Sequence, residues 1–423
     1  MKCIRRAISK PHRIFTNFVL QTSNALDRLY ERLIRPRFGK FSNESWKNTS
    51  ARDYHYDHGS ILRKKLIVPL NTSNLSSMAF VFFFSQIAIA ADPPMQLLLP
   101  RGLAESQLWH INRSGDAVGM CELFDAKGNS IVDFVCLFAK GNVRPIPKLD
   151  HYRKMECMAL SDSGMIVGHA YSPEREEESV LQAVFFDPRN ASTVLLPNLP
   201  TTKATLATAI SDDGKTIVGV CSGRACVWDR SNESWTVSPL PQKFNGLSTQ
   251  KVCLSDDGKI AIAFQRGKQI TQLAQWSRDE AGDWQYAIRL ESDITPHDVN
   301  NAATIVGSKV INSVRLPETR GFVLSPGEEI ELIEPLDGDN FSTARSINNY
   351  GVVVGWSDGV GNNSKWPRSF VWVRGQLQPL EMLPAMTPSQ AYGINDNGEV
   401  VGLLEREDDL HSVGFVAKIN SLR

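Results

Sequence analysis

One short pattern repeats seven times along this chain, and few architectures accommodate it. Its clearest copy is Ile210-Ser211-Asp212-Asp213-Gly214-Lys215-Thr216-Ile217-Val218-Gly219. An apolar residue leads into Ser or Asn, polar turn residues follow, and a short β-branched run ends in Gly. An Ala/Gly-Phe-Val-Trp-like stretch comes next, then a Leu/Pro-rich one. The first turn position falls at Asn112, Ser161, Ser211, Ser255, Asn300, Asn348 and Asn395. A period of about 40–50 residues holding four short strands is the signature of a propeller blade.

Each unit reads as strands a to d. Strand a ends in the apolar residue before the turn. Asn, Asp, Ser and Gly in the a–b turn bond to nearby backbone or tolerate positive φ, which makes tight hairpins. Strand b is Ile217-Val218-Gly219 or Val353-Val354-Gly355, and its Gly admits close backbone approach at the crowded inner part of a blade. Strand c is Ala225-Cys226-Val227-Trp228 or Ser369-Phe370-Val371-Trp372. Strand d carries Pro, which an outer edge strand tolerates.

The ends of the array set the topology. The seventh unit stops at Phe415-Val416-Ala417-Lys418-Ile419 with no strand d, while an orphan strand d, residues 95–100, precedes the first strand a. Joining the two completes seven blades and leaves no open edge. The expected fold is therefore all-β: a seven-bladed propeller over residues 95–423, latched by its N-terminal outer strand. An open or six-bladed array, with the weak fourth unit misread, is the alternative.

These units resemble the HAF-type extracellular repeats. The residues that carry the likeness are Ala391-Tyr392-Gly393-Ile394-Asn395-Asp396-Asn397-Gly398-Glu399-Val400-Val401-Gly402 with Gly414-Phe415-Val416, and the matching run from Ser346 to Gly355 with Ser369 to Trp372. The sequence departs from the pattern at Ala263, where strand b lacks its Gly, and at Ala302-Ala303, which replace a turn Gly. The resemblance implies an exported propeller and carries over no catalytic residue.

Net charge is zero but unevenly spread. Residues 1–77 hold 15 Lys/Arg against 5 Asp/Glu, and the remainder 31 against 41. The leader is thus basic, either poorly ordered or partly helical, and can touch anionic lipid. The body is acidic, which argues against nucleic acid as a partner. Residues 78–91 form the only strongly apolar run. It is too short to span a bilayer comfortably and has the length of a secretory h-region, with Ala88-Ile89-Ala90 as a small-x-small cleavage site. A start of translation near residue 62 would explain the long leader; an uncleaved, membrane-associated segment is the other reading. Export fits either a periplasmic, extracellular or envelope-associated protein, expected to be monomeric.

Cysteines bear on the same question. Cys221 and Cys226 flank a tight turn, and Cys121 and Cys136 stand on the corresponding strands of the first unit. Both pairs are candidate cross-strand disulfides, with buried free thiols as the alternative. No metal or cofactor is expected: the His residues are scattered, and the Asp-Asp-Gly turns are too short for a calcium loop.

Candidate binding residues come from strand a. The residue two before its terminal apolar one varies in size and polarity: Trp109, Met158, Thr208, Val252, His297, Arg345, Tyr392. Trp109, His297, Arg345 and Tyr392 fall on consecutive blades once the ring closes. They are expected early on strand a, on the face shared with the long b–c loops 170–181, 308–320, 356–368 and 403–413. The function expected is a non-enzymatic scaffold that binds a protein or glycan partner on that face. A glycan lyase or hydrolase using His297 and Tyr392, and a membrane-tethered adhesion or assembly factor, are the alternatives.

Overall fold

The computed structural model describes residues 95–98, 105–124, 130–139, 142–152, 154–172, 180–232, 234–243, 246–268, 271–290, 294–312, 318–359, 366–380, 388–405 and 412–419. The leader, the apolar segment, the cleavage site and most of the b–c loops lie outside them. The described residues contain strands and no helix. They make seven antiparallel sheets, six of them with strands a, b, c and d in order; in blade four, strand a comes in two pieces.

The ring closes as expected. Met95–Leu98 pairs with Ser412–Lys418, with Met95 opposite Ala417, Gln96 opposite Val416, Leu97 opposite Phe415 and Leu98 opposite Gly414. Leu99 and Pro100 lie outside the described residues.

Two further sets of bonds join blade to blade. Each a–b turn residue caps its own hairpin: Asn112 Oδ1 accepts the Asp116 N–H at 2.9 Å, and Ser211 Oγ accepts the Thr216 N–H at 3.0 Å. Asn has an amide left over where Ser does not. The Nδ2 groups of Asn112, Asn300, Asn348 and Asn395 reach the carbonyls of Ser161, Asn348, Asn395 and Asn112, at 2.8–3.2 Å. The last of these crosses the closure. At the other end of strand a, buried hydroxyls accept a strand-c N–H of the preceding blade. The Thr205, Ser342, Ser389 and Ser106 hydroxyls take the N–H of Ala183, Gly321, Ser369 and Gly414, all at 2.9 Å. Burying a hydroxyl costs unless it is bonded, so these residues specify the blade interface.

Turn chemistry holds even where the repeat departs. Six a–b turns place Gly at φ between 71° and 80°; in the fifth, Ala303 takes φ 60° in its place. The apolar clusters each span two neighbouring blades. One joins Val167, Phe185 and Leu196 of the second blade to Ile217, Cys226 and Trp228 of the third.

The cysteine expectations need correction in part. Cys221–Cys226 is a disulfide. The turn between them is Ser222-Gly223, so Cys221 faces Arg224 and Cys226 faces Gly219, and the two sulfurs join on the diagonal. Cys121 and Cys136 hold the same diagonal positions, because Cys136 stands opposite Gly119 in the slot that Phe fills elsewhere. They are free thiols nevertheless. Burial pushes the Cys136 thiol strongly up, and the thiolate is the species that reacts. Cys157 and Cys253 are free and buried.

Candidate functional site

The strand-b glycines explain why a variable residue sits on strand a. In six blades the a–b ladder slips by one residue: between Leu108 and His110, Cys157 and Ala159, Ala207 and Ala209, Pro296 and Asp298, Ala344 and Ser346, and Ala391 and Gly393. The residues passed over are Trp109, Met158, Thr208, His297, Arg345 and Tyr392. Each is a β-bulge, an extra residue left out of the pairing and re-aimed. Opposite each bulge stands Gly119, Gly168, Gly219, Gly307, Gly355 or Gly402. A Cβ on any of them would run into the carbonyl oxygen of Gln107, Glu156, Leu206, Thr295, Thr343 or Gln390. The fourth blade differs. Its strand b has Ala263 in that place, strand a breaks into Ser248–Thr249 and Cys253–Leu254, and the one-residue offset falls in the unpaired stretch between them, with three residues facing two. The glycine therefore makes room for the bulge.

All six bulged residues line one cavity of about 350 Å³ on the ring axis. Val252, the corresponding residue of the fourth blade, is fully buried, and its backbone bonds to the Thr208 hydroxyl. The four residues expected to act together do share a space. They sit in the C-terminal half of strand a, inside the channel, and not early on the strand at the loops. A bulge turns its side chain inward partway along the strand, so position on the strand was the wrong guide.

The middle of the cavity is cationic. Arg345 lies 5.4 Å from the ring centres of both Trp356 and Tyr392, which stand edge to face. Its Nε is buried without an acceptor, and among the described residues its guanidinium makes no ion pair and no hydrogen bond. Lys251 Nζ donates to the His297 carbonyl at 3.1 Å. His297 Nδ1 lies 2.7 Å from the Ala344 carbonyl, which can only accept, so Nδ1 carries the proton. Burial, then the charges of Arg345 and Lys251, lower the His297 pKa to about 3, so the ring is neutral with a free lone pair on Nε2. Asp298 is committed elsewhere: it accepts from Ser346 Oγ at 2.8 Å, from the Ile347 N–H at 3.0 Å and from the Val299 N–H at 2.8 Å. The Tyr392 hydroxyl is 2.6 Å from Gln390 Oε1.

The a–b turn end of the same cavity is acidic. Position two of the turn is Arg113, Asp162, Asp212, Asp256, Asn301, Asn349 and Asp396 in successive blades. Arg113 reaches Asp162, Asp212 and Asp396 at 3.4–3.6 Å, and Asn349 Nδ2 donates to Asp256 and Asp396 at 2.8 and 3.1 Å. Three carboxylates thus share one guanidinium, and the fourth, Asp256, has only the Asn349 amide. Burial, followed by the charges of Asp256 and Asp162, raises Asp212 to about 7; burial, followed by Asp298, raises Asp256 to about 7. Sequence reasoning passed over this ring because each Asp reads as ordinary turn chemistry. It also passed over Lys251 and Trp356. Only the ring brings residues about 45 positions apart to one axis.

Among the described residues no group of three His, Cys, Asp or Glu is placed to hold a metal ion. The b–c loops named above fall mostly outside the described residues.

No family model matches the sequence, and no curated protein does. Solved structures with the same fold do. The β-propeller domain of the trilobed protease from Pyrococcus furiosus, described as having an open velcro topology, matches with a TM-score of 0.50 at 12% identity over 74% of this chain and 94% of that one. A prolyl endopeptidase matches with a TM-score of 0.50 at 12% identity, over 75% of this chain and 51% of its own. An acylaminoacyl peptidase from Pyrococcus horikoshii matches at 0.46 and 10%, over 72% and 50%. The chain thus spans about half the length of these last two. The expectation of a non-enzymatic protein does not survive this comparison, because the matching propellers belong in the main to peptidases. At this identity the likeness is one of fold, and it assigns no activity.

Proposed function

We propose that the protein is an exported binding propeller that takes a protein or glycan partner on the ring face where the b–c loops emerge, with contacts reaching the axial cavity at Trp109, His297, Arg345 and Tyr392. One observation carries the reading. Six of seven blades give up a ladder position to turn a residue into the cavity, and those residues are chemically diverse. Bulges cost regular pairing and gather where a side chain must be re-aimed. A ring that needed only packing would fill its axis with similar apolar residues. Arg345, whose Nε is buried without a partner among the described residues, supports the same reading. Export is supported by the Cys221–Cys226 disulfide, since such bonds persist in oxidising compartments.

The test compares the full chain with an Arg345→Ala/Tyr392→Ala variant. Both are used for affinity capture from an envelope extract and for binding to a panel of polysaccharides. The variant loses the partner while its thermal transition stays within a few degrees of wild type. An unchanged partner and affinity would remove the cavity from the proposal.

A further inference from the structure

We infer that the axial cavity itself takes a small zwitterion whose opposite charges lie roughly 10 Å apart, the dimensions of an extended tripeptide with free ends. This goes beyond the partner-binding reading, and shares with it Arg345 and His297 as contacts.

The argument rests on two layers of opposite charge lining one cavity. Arg345 and Lys251 form the cationic layer. The guanidinium packs against two aromatic rings and has no acceptor among the described residues, its Nε buried, and cations of this kind are the usual receptor for a carboxylate. Asp298 is engaged by two backbone N–H groups and a hydroxyl and makes no ion pair with Arg345. The anionic layer is Asp162, Asp212, Asp256 and Asp396, served by Arg113 and by the amide of Asn349. Burial, and after it the neighbouring carboxylates, raise Asp212 and Asp256, and an ammonium group there would offset both.

Distance selects the ligand's length. Arg345, itself the bulge, lies two residues before the strand ends at Ile347, and Asn349 lies in the turn that follows. Two strand steps at about 3.3 Å and the start of the turn separate the backbone of the two layers by on the order of 10 Å. A free α-amino acid is too short to reach both, and a dianion would set one charge against the aspartates. A dication would meet Arg345 and Lys251. Between the layers, His297 is half-buried and presents the unprotonated Nε2, which suits an amide N–H of the ligand. The cavity volume of about 350 Å³ is at the small end for ligand pockets.

The experiment titrates the full chain with tri-alanine, N-acetyl-tri-alanine and tri-alanine amide, by calorimetry or ligand-observed NMR. Tri-alanine saturates, and each cap weakens binding by about tenfold or more, the scale of one charge-assisted contact. Arg345→Met abolishes the preference for the free carboxylate, and Asp256→Asn abolishes that for the free ammonium. The capped peptides need no variant, so the outcome does not depend on either substitution folding. Equal affinity for capped and free forms, or no saturation by any of the three at millimolar concentration, overturns the inference. If that happens while Arg345→Ala/Tyr392→Ala still loses the captured partner, the partner-binding reading stands alone. If the variant keeps its partner, both fall.

Discussion

Replacing Gly355 with Ala tests the link between the glycine and the bulge directly. The added Cβ would overlap the Thr343 carbonyl oxygen and lie 3.0 Å from the Phe370 ring and from the Thr343 carbonyl carbon. Two of these three atoms are backbone inside a paired ladder and have no rotamer to change. Overpacking of a well-ordered interior costs about 1–3 kcal/mol. Relieving it requires strand a to move away, which sacrifices one or two ladder bonds at about 1 kcal/mol each. The sum is about 3 kcal/mol. The fourth blade indicates the outcome: with Ala263 in place, strand a parts between Thr249 and Cys253. Gly355→Ala should therefore lower the urea midpoint by the equivalent of about 3 kcal/mol and pull Arg345 off the Trp356 and Tyr392 rings, visible as a change in tryptophan emission. Ala263→Gly is the control; it adds no Cβ to the ladder and costs only the usual 0.5–1 kcal/mol of a glycine in a strand, about a quarter as much. A Gly355→Ala protein within about 0.5 kcal/mol of wild type, with Arg345 still against the Trp356 and Tyr392 rings, would refute the account.

Other predictions follow from the same geometry. Removing residues 1–98 exposes the edge of Ser412–Lys418; the ring should lose several kcal/mol at about 1 kcal/mol per ladder bond and self-associate in light scattering. Asp256 has a folded pKa raised from 3.8 to about 7, so the folded state binds a proton that the unfolded chain releases. Stability from this group is full below pH 4 and falls as pH rises towards 7, with a slope of up to about 1.4 kcal/mol per pH unit. Asp256→Asn should flatten that part of the pH–stability curve, and an unchanged curve would rule the group out. Thiol titration of the denatured, unreduced protein should find two fewer thiols than its seven cysteines; four fewer would mean that Cys121 and Cys136 are bonded as well. Asn395→Ser keeps the hairpin cap but removes the amide that reaches Asn112 across the closure, and should cost about 1 kcal/mol in denaturant unfolding.

Much of this architecture was legible in the residues alone. Blade count, turn positions and the N-terminal latch depend on local chemistry. Asn, Ser and Gly bend the chain wherever they occur together, β-branched runs extend it, and an unmatched strand at each end can only be satisfied by the other. The turn-capping Asn and Ser and the strand-b Gly are equally local, and each of them sits where the repeat put it. Tertiary structure decided what those features are for. A strand-b glycine reads as close approach, but the approaching group, a carbonyl pushed inward by a bulge, belongs to the neighbouring strand. Asp162, Asp212, Asp256 and Asp396 look like four independent turns until seven hairpins converge on one axis and burial makes them a single acidic layer. Cys121 and Cys136 match Cys221 and Cys226 in ladder position, yet only the second pair is bonded. Proximity along the chain determines hairpins; the sharing of a desolvated axis by residues from seven blades exists only after the ring has closed.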